Sequence, residues 1–333
     1  MITDTFSRPL KDLRISVTDR CNFRCVYCMP KEVFGRNFHF LPQDQLLTFE
    51  EIETLSLAFH AMGVRKLRLT GGEPLVRSQI ERLIAKLSAL PDTDLTMTTN
   101  GILLPSMAEK LKAAGLKRVT ISLDSLDEAV FQGMNDVGAS VQDVLLGIDA
   151  AERVGLHPIK INMVVKRGMN DASVLPMARY FKERGHILRF IEYMDVGHTN
   201  GWRLDEVVPA VEIVERIGEE MAVEPIEPNY HGEVANRYRY LDGSGEFGVI
   251  ASVTQPFCQT CTRLRLSADG MLYTCLFAVK GHDLREAVRS GASHEALIET
   301  ISSIWSPRTD RYSEQRSEET ESLQRIEMSY IGG

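Results

Sequence analysis

The sequence has no long apolar run. None of its hydrophobic stretches approaches the roughly 18 residues that a membrane-spanning helix needs. Met1 to Leu10 lack the apolar core of a secretory signal. Membrane insertion and export are therefore not expected, and a cytoplasmic location is. An excess of positive charge is also missing: 38 Lys and Arg face 46 Asp and Glu, a formal net charge of −8. Nucleic-acid phosphates need a basic surface, so nucleic acid is not an expected partner, nor is a membrane. A small anion held by a local group of arginines remains compatible with that balance. Cysteine is scarce, with 6 in 333 residues. In a reducing cytoplasm these are expected to be metal ligands or catalytic groups rather than disulfides. The remaining composition, 44% hydrophobic and 25% charged, is that of an ordinary globular protein. The length suffices for one large domain plus a smaller one.

The six cysteines fall into two sets of three. Cys21, Cys25 and Cys28 stand at a Cys-x3-Cys-x2-Cys spacing within Asp19–Lys31. Thiolate sulfur is a soft ligand that suits iron–sulfur clusters and zinc. Three thiolates are one short of a closed zinc site or a fully ligated 4Fe–4S cluster. A cluster so held keeps one iron open to a small molecule; a zinc knuckle completed by a distant ligand is the other reading. Arg20 and Arg24 flank the set and are expected to favour thiolates. The second set is Cys258-Gln-Thr-Cys261 with Cys275. Either His282 completes a zinc hairpin there, or a second cluster again has an open iron. Between these ligands, Arg263-Leu264-Arg265-Leu266 alternates as a strand with both arginines on one face, and Asp269-Gly270 reads as a hairpin turn. Paired guanidiniums there suit polyphosphate or carboxylate, or are a solvated strand edge.

Along the chain, strand and helix signals alternate. Residues 12–17 read as a strand feeding the first cysteine loop, with Arg14 and Ser16 on its polar face. A capping box at Thr48–Glu51 opens a helix to about Met62, and a second at Ser78–Glu81 opens one to Leu90. Further strands are expected at 65–69, 94–98, 117–123, 158–165 and 187–192, with helices at 105–114, 140–154 and 171–184. The glycines of Thr70-Gly71-Gly72-Glu73-Pro74, at a strand end, would let a ligand approach the backbone. Six strand–helix units imply a parallel sheet with helices outside, short of the eight of a closed barrel. The expected fold is α/β, a partial open (β/α)6 barrel. Cys21, Gly72, Thr99, Ser122 and Met194 all fall at C-terminal strand ends, where such barrels place function. After Trp202 the pattern changes, with a helix near 209–220, a linker-like Glu224–Pro228, and strands at 235–241 and 247–250. The expected domains are a barrel core, 1–222, and a smaller C-terminal α+β region, 223–333.

The first cysteine motif, with Tyr27 before its last Cys, resembles the signature of the radical S-adenosylmethionine (SAM) enzymes. That resemblance implies an open iron that chelates the methionine part of SAM, whose reductive cleavage gives a 5′-deoxyadenosyl radical. It also implies that Gly-Gly-Glu-Pro contacts the SAM amino group. Cys-x2-Cys followed by Thr-Arg-x-Arg, a third Cys further on, the Ser-Val-Thr-Asp-Arg-Cys-Asn-Phe-Arg-Cys opening and the Gly332-Gly333 terminus are similar to the GTP 3′,8-cyclases of molybdenum cofactor biosynthesis. The likeness runs from about Arg8 to Gly333. It implies two 4Fe–4S clusters, the first on Cys21, Cys25 and Cys28, the second on Cys258, Cys261 and Cys275. It implies that Tyr27, Gly72, Ser122 and Met194 line the SAM site. Arg14, Arg68, Thr99, Lys160, Arg263 and Arg265 would hold GTP. An external electron donor is implied, as is delivery of the product to cyclic pyranopterin monophosphate synthase; a homodimer is compatible. Arg14, Arg68 and Lys160 stand where barrel filling would ordinarily be apolar, so an anionic ligand is their natural partner. The alternatives are another radical SAM enzyme with an auxiliary cluster acting on a peptide, and a non-enzymatic zinc-binding interaction protein.

Overall fold

The computed structural model describes residues 2–316 and 323–332. Six parallel strands form its centre: β1 (Asp12–Ser16), β2 (Lys66–Thr70), β3 (Asp94–Thr99), β4 (Arg118–Ser122), β5 (Lys160–Val165) and β6 (Ile187–Glu192). The crossovers carry α1 (Phe49–Ala61), α2 (Ile80–Ser88), α3 (Leu104–Ala113), α4 (Glu128–Asn135), α5 (Val141–Arg153) and α6 (Val174–Glu183). Leu13, Ile15, Leu67, Leu69, Leu95, Met97, Val119 and Ile121 face outward from the strands and are buried under these helices. The alternate positions face the barrel interior, which is where the polar strand residues stand.

The chain then adds α7 (Ala210–Gly218) and six more strands: β7 (Val223–Ile226), β8 (Asn236–Tyr240), β9 (Glu246–Ile250), β10 (Arg263–Leu266), β11 (Met271–Tyr273) and β12 (His282–Asp283). Helices α8 (Arg285–Arg289), α9 (His294–Trp305) and α10 (Tyr312–Gln315) follow, then a helical turn at Met328–Ile331. The sheet runs β12-β11-β10-β1-β2-β3-β4-β5-β6-β9-β8-β7 and is not closed. It is the partial, TIM-like barrel expected. Residue 222 falls between α7 and β7, and the later strands extend both edges of the barrel sheet: β10 pairs parallel with β1, and β9 parallel with β6.

Some local expectations fail for identifiable reasons. The box at Thr48 forms, with Glu51 N donating to Thr48 Oγ1 at 3.1 Å and Thr48 N to Glu51 Oε2 at 2.7 Å. The one at Ser78 does not: a 3-10 turn at Pro74–Val76 precedes α2, and Gln79 enters the helix from a left-handed φ of 59°. Val223–Ile226 is a strand rather than a linker; β7 lies at the sheet's edge, where a proline costs no ladder bond. Helix α4 has no sequence expectation behind it. Its N-cap is Asp127, which accepts from Val130 N at 3.0 Å.

Candidate active site

One cavity of about 310 Å³ runs through the barrel, and all six cysteines line it. The thiols are partly exposed because they face this cavity. Burial, with Glu73 nearby, pushes Cys21 up to about 12, and burial pushes Cys25 and Cys28 up as well. Arg24 does favour the Cys21 thiolate, but burial and Glu73 outweigh it. Arg24 donates to the carbonyls of Phe34 (2.8 Å), Cys21 (2.9 Å) and Phe23 (2.6 Å), and both Arg20 and Arg24 lie over the Phe40 ring. The deprotonating charge has to come from a metal. Among the described residues, no three His, Cys, Asp or Glu side chains converge enough to hold a single metal ion. Three thiolates per set match a 4Fe–4S cluster with one iron left open and fall one short of a closed zinc site.

The segment after β2 braces the first cysteine loop. Gly72 N donates to Thr18 O and Glu73 N to Arg20 O, both at 2.8 Å. A Cβ on Gly71 would stand 2.4 Å from Thr18 O, and one on Gly72 2.3 Å from Arg20 O. The close approach that these glycines permit is thus to the cysteine loop itself, although both also line the cavity. Glu73 is buried and accepts from Thr99 Oγ1 (2.7 Å), Asn100 N (2.7 Å) and Leu75 N (3.0 Å). Burial nonetheless raises its carboxyl to about 7. Tyr27 donates to Asp124 Oδ2 at 2.8 Å, and burial raises Asp124 to about 6. Asn200 Nδ2 donates to the carbonyls of Tyr27 (3.4 Å) and Met194 (3.1 Å), which ties the cysteine loop to the end of β6.

At the second triplet, Cys261 differs from its neighbours. Burial pushes its thiol up, but Arg263 and Arg308 outweigh that and hold it at about 6. Their guanidiniums donate to Cys261 Sγ at 3.4 and 3.3 Å. Burial, with Asp310 nearby, raises Cys275 to about 12. His282 is no fourth ligand: it is exposed in β12, opposite Leu272, and does not line the cavity.

The register of β10, β1 and β2 sets Arg265, Arg14 and Arg68 side by side. Burial lowers Arg14 well below its ordinary value, and Arg265, Arg68 and Arg263 lower it further. Burial likewise lowers Arg265 to about 9 and Arg68 to about 10. Arg68 donates to Thr98 Oγ1 (2.8 Å) and Thr120 Oγ1 (3.2 Å), which are neutral partners. Guanidiniums set in a row, Arg68 and Arg265 buried and Arg14 partly so, that depress one another suit a multiply charged anion.

Fifteen of the sixteen residues singled out from the sequence line this cavity: the six cysteines, Tyr27, Gly72, Ser122, Met194, Arg14, Arg68, Thr99, Arg263 and Arg265. Lys160 does not. It opens β5 beside Thr120, and burial and the nearby Arg189 lower it to about 8. The Thr99 hydroxyl is already donated to Glu73 and accepts from Gly101 N at 3.0 Å. Sequence reasoning missed Arg189, Lys66, Tyr230, Asn200 and Arg308, of which the first three and Arg308 line the cavity. Arg189 and Lys66 carried a signal, a cation in the interior phase of a strand. Tyr230, Asn200 and Arg308 lie outside the regular elements and carried none.

A parallel barrel with one cysteine triplet at the end of β1 and a braced glycine turn at the end of β2 defines a radical SAM protein. The Radical SAM superfamily profile matches residues 15–181 and the Molybdenum Cofactor Synthesis C profile residues 186–314. Two solved structures share the fold: Streptococcus suis SuiB bound to S-adenosylmethionine (TM-score 0.62, 15% identity, 96% of this chain and 72% of that one) and anSMEcpe with bound AdoMet (TM-score 0.60, 14% identity, 95% and 88%). The GTP 3′,8-cyclase of Acidothermus cellulolyticus is 55% identical over 358 residues, covering 100% of this chain and 99% of the relative. Those of Staphylococcus carnosus and Staphylococcus saprophyticus are 48% and 47% identical over 337 residues, with the same coverage. The chain belongs to the GTP 3′,8-cyclase family. No helix among the described residues is long and apolar enough to cross a membrane.

Proposed function

We propose that the protein is a radical SAM GTP 3′,8-cyclase: hydrogen is removed from the ribose C3′ of GTP, and C3′ then bonds to guanine C8. The base radical so formed would take up one electron, from the external donor, and one proton to give (8S)-3′,8-cyclo-7,8-dihydroguanosine 5′-triphosphate. The observation that carries this reading is that both cysteine triplets and the row Arg265, Arg14, Arg68 share the walls of one cavity. In it, Cys21, Cys25 and Cys28 would hold the SAM cluster, and Cys258, Cys261 and Cys275 a second 4Fe–4S cluster. Once bound, the first cluster and SAM supply one-electron cleavage and a hydrogen-abstracting radical.

The chain's own residues bind and orient. Tyr27, Gly72, Ser122 and Met194 would line the SAM pocket. Arg14, Arg68, Arg263 and Arg265 would neutralise the triphosphate, which brings about four negative charges that an acidic protein must meet locally. Thr99 would act at the border of the two ligands, and Lys160 through the charge it adds behind Arg189. Fixing the ribose between two anchored ends brings C3′ and C8 within reach of each other and restricts side reactions. An external electron donor in the cytoplasm would reduce the first cluster, and cyclic pyranopterin monophosphate synthase would take the product.

The test is anaerobic reconstitution with iron and sulfide, then addition of SAM, a reductant and GTP. About eight irons per chain, with 5′-deoxyadenosine and cyclised GTP formed only when GTP is present, are expected. Two clusters without a response to GTP would move the substrate elsewhere, first to a peptide. Zinc in place of iron would overturn the enzyme reading.

A further inference from the structure

Cys261 is gripped differently from every other cysteine. Arg308 Nη2 donates to its sulfur at 3.3 Å, and Arg308 Nη1 donates to its carbonyl at 3.0 Å. One guanidinium thus fixes both the ligand atom and the backbone that carries it. Arg308 follows α9 and is far from the GTP-binding strand positions in sequence. Its side chain is buried over the Trp305 ring, 4.6 Å from the centroid. It is held from behind by Asp310 Oδ2 (3.1 Å) and by Asp4 Oδ2 (3.5 Å).

That anchor is itself built. Arg8, also buried, donates to Asp4 Oδ2 at 2.6 Å and to the carbonyls of Cys258 and Asp310, both at 2.8 Å. Two arginines and two aspartates therefore lock the N-terminal turn, the Cys258–Cys261 turn and the segment after α9 into one neutral block. The other donor on Cys261 Sγ, Arg263, lies in β10 and stacks over Phe257 at 4.9 Å. Both guanidiniums line the cavity, but Arg308 is tied down by two carboxylates, so substrate competes more readily for Arg263.

We propose that Arg308 is a positioning residue for the second cluster: it fixes Cys261 and raises the cluster's affinity for an electron, independently of substrate. This rests on the reading of Cys258, Cys261 and Cys275 as cluster ligands. A positive charge and an N–H···S bond stabilise the more negative, reduced state of a cluster, so they shift its potential upward. Among the described residues, no arginine donates to a sulfur of the first triplet: Phe23 N, a neutral amide, donates to Cys21 Sγ at 3.3 Å, and Arg24 acts on the Cys21 thiol only through its charge. The two clusters are thereby given different electrostatic settings by the chain.

The test uses the full-length, doubly reconstituted protein and its Arg308→Met and Arg308→Lys variants. Iron is counted, and both clusters are titrated potentiometrically by electron paramagnetic resonance, with a Cys25→Ala protein identifying the second-cluster signal. In Arg308→Met, the second cluster's reduced-to-oxidised ratio at a fixed potential is expected to fall roughly tenfold, about 59 mV more negative for one electron. The first cluster's potential should not move, and Lys, which retains the charge, should recover part of the shift. If the Met variant does not load, Arg308→Lys carries the test, with a smaller shift in the same direction expected. An unmoved second cluster at about eight irons, or an equal shift of both clusters, overturns the role of Arg308 alone. Wild-type protein with about four irons would overturn the two-cluster reading and this inference with it.

Discussion

The hydroxyl of Tyr27, in the first cysteine loop, donates to Asp124 Oδ2 beyond the end of β4, 97 residues away, at 2.8 Å. Asp124 Oδ1 accepts from Val164 N at 2.9 Å, so one buried carboxylate joins the loop to two strands. Tyr27→Phe should destabilise the cluster-free chain by about 1–2 kcal/mol at pH 8, where Asp124 is ionised. The loss should shrink at pH 5, below the value of about 6 to which burial raises Asp124. Denaturant unfolding at the two pH values measures it. Equal stability of variant and wild type at pH 8 would remove this strut from the account.

A Cβ on Gly72 would lie 2.3 Å from the Arg20 carbonyl oxygen and 2.5 Å from its carbon, both backbone atoms that cannot rotate away. Gly72→Ala must therefore push the cysteine loop off the barrel, at a cost of about 1–3 kcal/mol. The expected outcome is a folded chain whose iron content on reconstitution drops from about eight to about four. A full iron complement would show that the loop tolerates the displacement.

Much of this architecture was legible in the sequence because it is written in local, periodic signals. The six strand–helix units, the capping box at Thr48 and the hairpin at Gly270 each rest on residues within a few positions of one another. The cysteine spacings and interior arginines are local signals too, and these residues line one cavity. What was not legible depends on distant pairing. Nothing near Arg308 in the chain announces that it meets Cys261, and nothing in Glu224–Pro228 announces that Tyr238 waits opposite Pro225. Gly71 and Gly72 signal a close approach to the backbone, but that signal does not say that Thr18–Arg20 makes one, since the position of that segment follows only from the β1–β2 pairing.

Glu73 offers a pH signature. Burial raises its carboxyl from an ordinary 4.5 to about 7. A raised acid favours the folded state while it is protonated, so its contribution is fully present below pH 4.5 and is lost as pH rises towards 7. The size is about 3 kcal/mol. Glu73→Gln removes the titration, so the wild-type minus variant difference in Tm of the cluster-free chain should decline across that window. A difference that stays flat between pH 4.5 and 7 would mean that Glu73 does not titrate there.

Arg265, Arg14 and Arg68 lie side by side, and among the described residues none of them forms an ion pair with a carboxylate. An anion that neutralises them should stabilise the fold. Inorganic tripolyphosphate at 100 times its Kd should add about 2.7 kcal/mol, seen as a rise in Tm of a few degrees that falls with added salt. Arg68→Ala should shrink the rise. A Tm that does not respond to tripolyphosphate, in a chain still responsive to GTP, would locate the recognition in the nucleoside instead.

The C-terminal tail enters the same row. Arg265 Nη1 donates to the Gly332 carbonyl, and Gly332, at φ 77°, sits so near Thr70 that a Cβ would stand 2.3 Å from its Cγ2. Gly333 lies outside the described residues. Gly332→Ala combines an unfavourable left-handed backbone, about 1 kcal/mol, with a clash against β2, so the last residues should move away from Arg265. Because Arg265 belongs to the proposed GTP site, a displacement of about 1 Å there should lower cyclisation roughly 100-fold. Iron content and the unfolding transition should stay close to wild type, since Ile331, though buried, lies outside the main apolar cluster. Deleting Gly332 and Gly333 together should have the same effect on turnover. If both variants cyclise GTP at the normal rate, the contact between Arg265 and the tail has no part in catalysis, and Arg265 acts on the substrate alone.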